Sequence, residues 1–156
     1  MMKYAEINND QIIKVHSSLP GGWKNISGLN TLSDLELSDL TWSGNTGWKF
    51  YPVTEEDKPT VDSRFYIVSD INYSIDENTK SVLGSYTTTP VSTEAAWEVI
   101  RNIRTRKLYL CDWTQLPDAP LTEQQKTDWT TYRQALRDIT TQEDPFNISW
   151  PTEPVA

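Results

Sequence analysis

Between Ile100 and Pro151, the aromatic side chains of Trp113, Trp129, Tyr132, Phe146 and Trp150 are interleaved with two arginine-bearing helical patterns. Rings of that size gain most by burial, so this stretch has to fold around them. Trp97, Ile100, Ile103 or Arg104, and Leu108 recur at helical spacing, while Glu94, Glu98, Arg101 and Arg106 can face water. That periodicity predicts a helix from about Thr93 to Leu110. Pro117 and Pro120 then require an ordered or extended connection. Thr122 begins a Thr-x-x-Gln capping box, and Trp129, Tyr132, Leu136 and Ile139 carry an apolar stripe along a second helix to about Ile139. Two helices joined by a proline-bearing loop favour an antiparallel hairpin. Beyond Asp144-Pro145, Phe146, Ile148 and Trp150 form an extended aromatic tail able to cover the hairpin's open edge or the β-rich half.

The first ninety residues follow a different period. Tyr4–Asn8 and Gln11–Val15 are strand-forming runs separated by Asn9-Asp10, a pair that tolerates the positive φ angles of a tight hairpin. Leu19-Pro20-Gly21-Gly22 ends that pattern, and Trp23 anchors a polar loop. Leu32, Leu35, Leu37 and Leu40 alternate with Asp34, Glu36 and Asp39 behind capping hydroxyls, which predicts a short helix from Thr31 or Ser33 to Leu40. Trp48–Val53, Arg64–Asp70, Asn72–Ile75 and Ser81–Thr88 read as strands of a small antiparallel meander, with Tyr51 and Val53 on one face. The chain is therefore expected to be α+β, with a small antiparallel β-rich region over 1–92 and a helical hairpin with its tail over 93–156.

Charge narrows the partners. The formal net charge is -8 and the isoelectric point about 4.6, so the surface as a whole repels phosphate backbones and anionic membranes. Seven basic and twelve acidic residues precede Thr93, against seven and ten from there on, so neither half hides a strongly basic module. Neither nucleic acid nor a membrane is an expected partner. Cys111 is the only cysteine, so no intrachain disulfide can form. No segment approaches the roughly 20 apolar residues of a membrane span, and no signal-peptide run opens the chain. Without a secretory signal, the three Asn-x-Ser triplets carry no weight as glycosylation sites.

Catalytic and metal chemistry find little support. His16 is the only histidine, and adjacency to Ser17 and Ser18 does not supply the geometry of a catalytic pair, so an exposed, non-catalytic histidine is expected. Cys111 lacks a visible base and reads as a buried structural thiol. Asp70, Asn72, Ser74 and Asp76 alternate like calcium-loop ligands, but Ile75 stands where glycine is needed and Ser81 where glutamate is needed. One Cys and one His cannot form the common structural zinc site. No phosphate loop and no Gly-x-Gly-x-x-Gly motif is present. A carboxylate pair for glycoside hydrolysis depends on a cleft that sequence does not reveal, and is kept as a distant alternative. No cofactor, no metal and no turnover are expected.

Arg101, Arg104 and Arg106 cluster on the first helix, and Arg133 and Arg137 repeat one turn apart on the second. Their plain reading is solvated faces and interhelical ion pairs of about 0.3 to 1 kcal/mol each. The sharper one is planar donors beside aromatic rings, a composition enriched at protein interfaces.

The order of these residues adds a resemblance. Ile100-Arg101-x-x-Arg104, the run Asp112-Trp113-Thr114-Gln115-Leu116-Pro117-Asp118-Ala119-Pro120-Leu121-Thr122-Glu123-Gln124-Gln125, Trp129-x-x-Tyr132-Arg133-Gln134-Ala135-Leu136-Arg137-Asp138-Ile139 and Asn147-Ile148-Ser149-Trp150-Pro151 resemble the bacteriophage tail assembly chaperone family. The resemblance covers about a third of the chain. Cys111 stands where a small or hydroxyl residue is usual, and Thr127 and Thr130 where better helix formers are, which weakens local helicity slightly. The leading ninety residues look like the variable front part of such phage proteins.

The resemblance implies a non-catalytic protein, active in the host cytoplasm during assembly, that binds an unassembled phage tail or tail-fibre protein. A structural component retained in the virion's tail, baseplate or fibre is the alternative, and a small carbohydrate-acting hydrolase a distant one. Within the module, Trp113, Trp129, Tyr132 and Trp150 are expected to hold the shape, and Arg104, Arg133 and Arg137 to stay solvated until a carboxylate-bearing partner arrives.

Overall fold

The structure, a computed structural model, describes residues 2–155 and is mixed α+β. The chain forms two compact units: residues 1–60 with 68–88, and residues 61–67 with 89–156.

The first unit is built on a five-stranded sheet. Strand β1 (Lys3–Asn8) turns through Asn9 and Asp10, at φ 46° and 63°, into β2 (Gln11–His16). Two successive positive φ angles match the right-handed strand twist, so the expected hairpin forms. The pairing slips between Glu6 and Ile7, where Glu6 lies opposite Lys14 and Ile7 opposite Ile12, leaving Ile13 as the extra, exposed residue of a bulge. A small ribbon, β3 (Gly22–Trp23) with β4 (Ile26–Ser27), leads to a single helical turn, α1 (Asp34–Leu37). Ser33 and Glu36 cap that turn reciprocally. The helix is shorter than its leucine pattern predicts, because Leu40 turns into a 3-10 segment over Thr41–Ser43.

Strand β5 (Trp48–Glu55) lies antiparallel to β1, while β6 (Tyr66–Val68) leaves the main sheet. Strands β7 (Asn72–Asp76) and β8 (Ser81–Ser85) form a hairpin, and β9 (Thr88–Pro90) pairs with β6. The main sheet runs β2-β1-β5-β8-β7, and β5 with β8 is parallel. This corrects the all-antiparallel meander. The β7–β8 hairpin returns so that β8, its second strand, docks beside β5, and period-two alternation carries no information about strand direction. The calcium-like alternation of Asn72, Ser74 and Asp76 is simply the exposed face of β7.

Period two also explains the two cores of this unit. Ala5, Ile7, Tyr51 and Val82 bury on one face of the sheet, while Phe50 joins Ile26, Leu29, Leu37 and Leu40 on the other. Gly47, at φ 79°, is required at its turn, since a Cβ there would meet the Asn9 amide oxygen at 2.3 Å.

In the second unit, α2 (Thr93–Leu110) starts at the Ser92 cap and buries Ala96 and Ile100. A 3-10 turn over Asp112–Gln115 follows. Helix α3 (Glu123–Arg137) begins with the expected Thr122–Gln125 capping box and gives way to a 3-10 turn over Asp138–Thr141. Thr127 and Thr130 are accommodated by donating their hydroxyls to the carbonyls of Glu123 and Lys126, at 2.9 and 2.8 Å. No helix among the described residues is long and apolar enough to cross a membrane.

Candidate protein-binding surface

The buried stripe of α3 positions everything around it. Trp129, Tyr132 and Leu136 pack with Cys111 in one cluster, against which Leu108, Leu121 and Trp150 are partly buried. The rings of Trp129 and Tyr132 meet edge to face at 5.7 Å, and Lys107 lies 5.8 Å from the Trp150 ring. Phe146 packs near Phe65 and Tyr66, so part of the aromatic tail is held by the 61–67 segment. Trp113 stands at the edge of this cluster. Its ring lies 6.3 Å from that of Trp129, yet the residue is 40% exposed.

Arg133 corrects the sequence reading of its environment. It was expected to be solvated, but it is 8% exposed. Its guanidinium donates to the Leu108 carbonyl at 2.9 Å, to the Cys111 sulfur at 3.1 Å and to the Asp112 carboxylate at 2.8 Å. Burial opposes its charge, but the bonds to Asp112 and Cys111 outweigh that and raise its pKa above the ordinary value. The physical reason is register: four residues from Trp129, Arg133 lies on the stripe that faces the end of α2. A planar fork there adds a donor to the Leu108 carbonyl, which also accepts from the Cys111 backbone N–H, and ties the end of α2 to Asp112 in the following turn. Cys111 is buried as expected and donates to the Leu108 carbonyl at 3.3 Å.

Arg104 and Arg137 occupy a different setting. With Thr105, Leu108, Tyr109 and Asp112 they line an open groove of about 450 Å³. Arg137 is exposed and Arg104 half-buried. Neither has an acidic partner among the described residues, whereas Arg64 pairs with Asp62, Arg101 with Glu94 and Arg133 with Asp112. Next to the groove along the chain, Tyr109 is 75% exposed, and Leu110 and Leu116 are also exposed. Sequence reasoning missed these three. Tyr109 and Leu110 fall outside the helical stripe through Leu108, and apolar residues out of phase with a buried stripe are the signal that would have found them. Asp112 offered no signal, because its pairing with Arg133 is tertiary. On another side of α2, Arg106 and Arg64 border a smaller groove of about 270 Å³ with Val99, Asn102 and Ile103.

The remaining candidate residues sit elsewhere. His16 is part-buried rather than exposed, with its Nε2 2.8 Å from Glu6 Oε2, while the Trp23 indole donates to Glu6 Oε1 at 3.0 Å. Both oxygens of Glu6 are thereby used inside the fold, and Ser17 and Ser18 are exposed beside it without joining this network. Among the described residues, no three of His, Cys, Asp and Glu gather as a metal site.

No curated protein and no solved structure matches the chain. Residues 97–155, which contain the Arg104–Arg137 groove, the Arg133 clamp and the aromatic cluster, match the family model described as phage tail assembly chaperone protein.

Proposed function

We propose that the protein acts in phage tail assembly as a non-catalytic binding protein, and that it recognises an unassembled tail or tail-fibre protein through the C-terminal unit. The family match over residues 97–155 supports the tail-assembly setting. The observation that carries the mechanism is the groove in which Arg104 and Arg137, both without acidic partners among the described residues, line the surface with Leu108 and the exposed Tyr109. Unpaired guanidinium groups beside apolar surface are suited to capturing a carboxylate next to an apolar side chain. Their charge also stands out against an otherwise acidic surface, so they would orient an acidic partner segment. In this reading α2 and α3 work as one helical hairpin, which the Arg133 bonds to Leu108 and Asp112 support. Arg133 then positions the surface, while Arg104 and Arg137 meet the partner.

The test is capture from phage-infected cells, with the bound proteins identified by mass spectrometry. The Arg104→Ala/Arg137→Ala variant should retain about a tenth or less of the tail or fibre protein held by the unmodified chain. Equal capture by the folded variant would move the recognition surface elsewhere. Mass spectrometry of purified virions separates transient chaperone from virion part: the proposed chaperone is absent, and a fixed copy number per virion would favour the structural alternative.

A further inference from the structure

The acidic, apolar ligand that this groove fits has a counterpart in the chain itself. Ser33–Trp42 reads Ser-Asp-Leu-Glu-Leu-Ser-Asp-Leu-Thr-Trp, in the first unit. Leu37 and Leu40 are buried there, but Leu35 is 74% and Trp42 59% exposed. Trp42 rests against the end of α1, with its indole N–H 3.5 Å from the Glu36 carbonyl. Three exposed acidic residues, Asp34, Glu36 and Asp39, lie in the same segment. Among the described residues none of the three is in an ion pair, although Lys80, which donates to Ser38 at 3.0 Å, lies close enough to lower the pKa of Asp39 as a lesser influence after the Thr41 hydrogen bonds. Leu35 and Trp42 are therefore exposed apolar groups in an acidic segment, and the groove sets Leu108 and Tyr109 with Arg104 and Arg137, its one carboxylate, Asp112, being engaged by Arg133.

We infer that the Leu35–Trp42 segment of one copy docks in the Arg104–Arg137 groove of a second copy, so that the free protein associates head to tail and occupies its own recognition groove. The inference rests on the proposed role of that groove. Its basis is charge complementarity: Asp34, Glu36 and Asp39 offer carboxylates to the two unpaired guanidinium groups, while Trp42 and Leu35 cover Tyr109 and Leu108. The contact is heterologous, because the two surfaces differ, so each added copy leaves one free groove and one free segment. Association should therefore proceed past the dimer as concentration rises. It should also weaken with salt, because exposed charges contribute to it. A tail protein presenting a better acidic segment would displace the second copy.

Sedimentation of the purified full chain, with no phage protein present, tests this. Two variants remove one surface each: Arg104→Ala/Arg137→Ala on the groove, and Leu35→Ser/Trp42→Ser on the segment, all at residues that are exposed or half-buried. The average mass of the unmodified chain should climb above the 17.9 kDa of one copy between about 10 µM and 1 mM, the range of weak association. Each variant alone should associate about tenfold more weakly or worse. Mixed, the two variants should form a dimer that grows no further, since only one intact groove and one intact segment remain. A chain that stays monomeric throughout, or a mixture that behaves as its separate components do, would overturn the inference. Loss of tail-protein capture by the groove variant from a monomeric parent would leave the proposed function standing without it. If instead the parent associates and the mixture dimerises, while capture is unaffected by the groove substitutions, self-association stands and the recognition reading falls.

Discussion

The two units carry different cations. All six arginines belong to the second unit, and six of the eight lysines to the first. The first unit spends several lysines internally. Lys49 bridges Asp10 and Glu77, Lys3 pairs with Glu55, and Lys24 lies over the Trp48 ring at 3.4 Å. In the second unit Arg133 is buried as a clamp and Arg64 and Arg101 have acidic partners, while Arg104, Arg106 and Arg137 have none among the described residues. A long flexible ammonium can find a carboxylate in its own fold, whereas a planar fork left unpaired beside apolar surface is suited to a partner. What marks the proposed recognition surface is therefore the unpaired guanidinium groups beside apolar side chains, Arg104 and Arg137 with Leu108 and Tyr109.

The largest effect that bears on this contrast is loss of an aromatic anchor. Trp129→Ala should cost about 3 to 5 kcal/mol, by removing a buried indole from the cluster that supports the groove, as read by urea unfolding. A cost below about 1 kcal/mol would mean that the ring does not hold the unit together.

Next come the arginines, which should divide. Arg133→Ala should cost about 1 to 3 kcal/mol, because the Leu108 carbonyl and the buried Cys111 sulfur each lose a donor and the guanidinium leaves a gap, while the exposed Asp112 regains water. Arg104→Ala/Arg137→Ala should shift stability by no more than about 0.5 kcal/mol. Replacing Arg133 and Arg137 together should therefore carry a penalty that tracks Arg133 alone. Equal costs for the two variants would erase the distinction between clamp and contact.

The smallest effects concern pH and should appear in the first unit. Hydrogen bonds from Lys49 and Tyr51 lower the pKa of Glu77 below its ordinary 4.5, and those from Lys3 and Tyr73 do the same for Glu55. A depressed folded-state pKa contributes stability that is present above the ordinary value and lost as pH falls through the folded one. The first unit should weaken progressively below about pH 4.5, and Glu77→Gln should flatten that dependence. At the other extreme, the Glu55 carboxylate raises the Tyr73 pKa to about 12, with burial assisting. A raised folded-state pKa contributes stability below 10 and loses it as pH rises toward 12, so alkaline titration of tyrosine absorbance should show a late component that Glu55→Gln moves down.

Much of this architecture was readable in advance, for local reasons. The Asn9-Asp10 turn, the Thr122–Gln125 capping box and both long helices follow from residues within a few positions of one another. The parallel β5–β8 pairing did not, because strand direction depends on which partner a hairpin chooses. Arg133 misled for a related reason. Charge predicts exposure, and only the packed ends of α2 and α3 reveal that three acceptors await it. Tyr109 was hidden by its phase, since helical periodicity searches for what a helix buries and passes over what it leaves outside.

The central claim is that partners meet the arginine-bearing unit and leave the sheet free. Hydroxyl-radical footprinting of the chain, alone and bound to the tail or fibre protein captured from infected cells, tests it most directly. Tyr109, Trp113 and Leu116 should lose reactivity in the complex, while Ile13 and Leu83, exposed on the sheet, should react as they do in the free chain. Protection of Ile13 and Leu83 with Tyr109 and Trp113 still fully reactive would contradict the account.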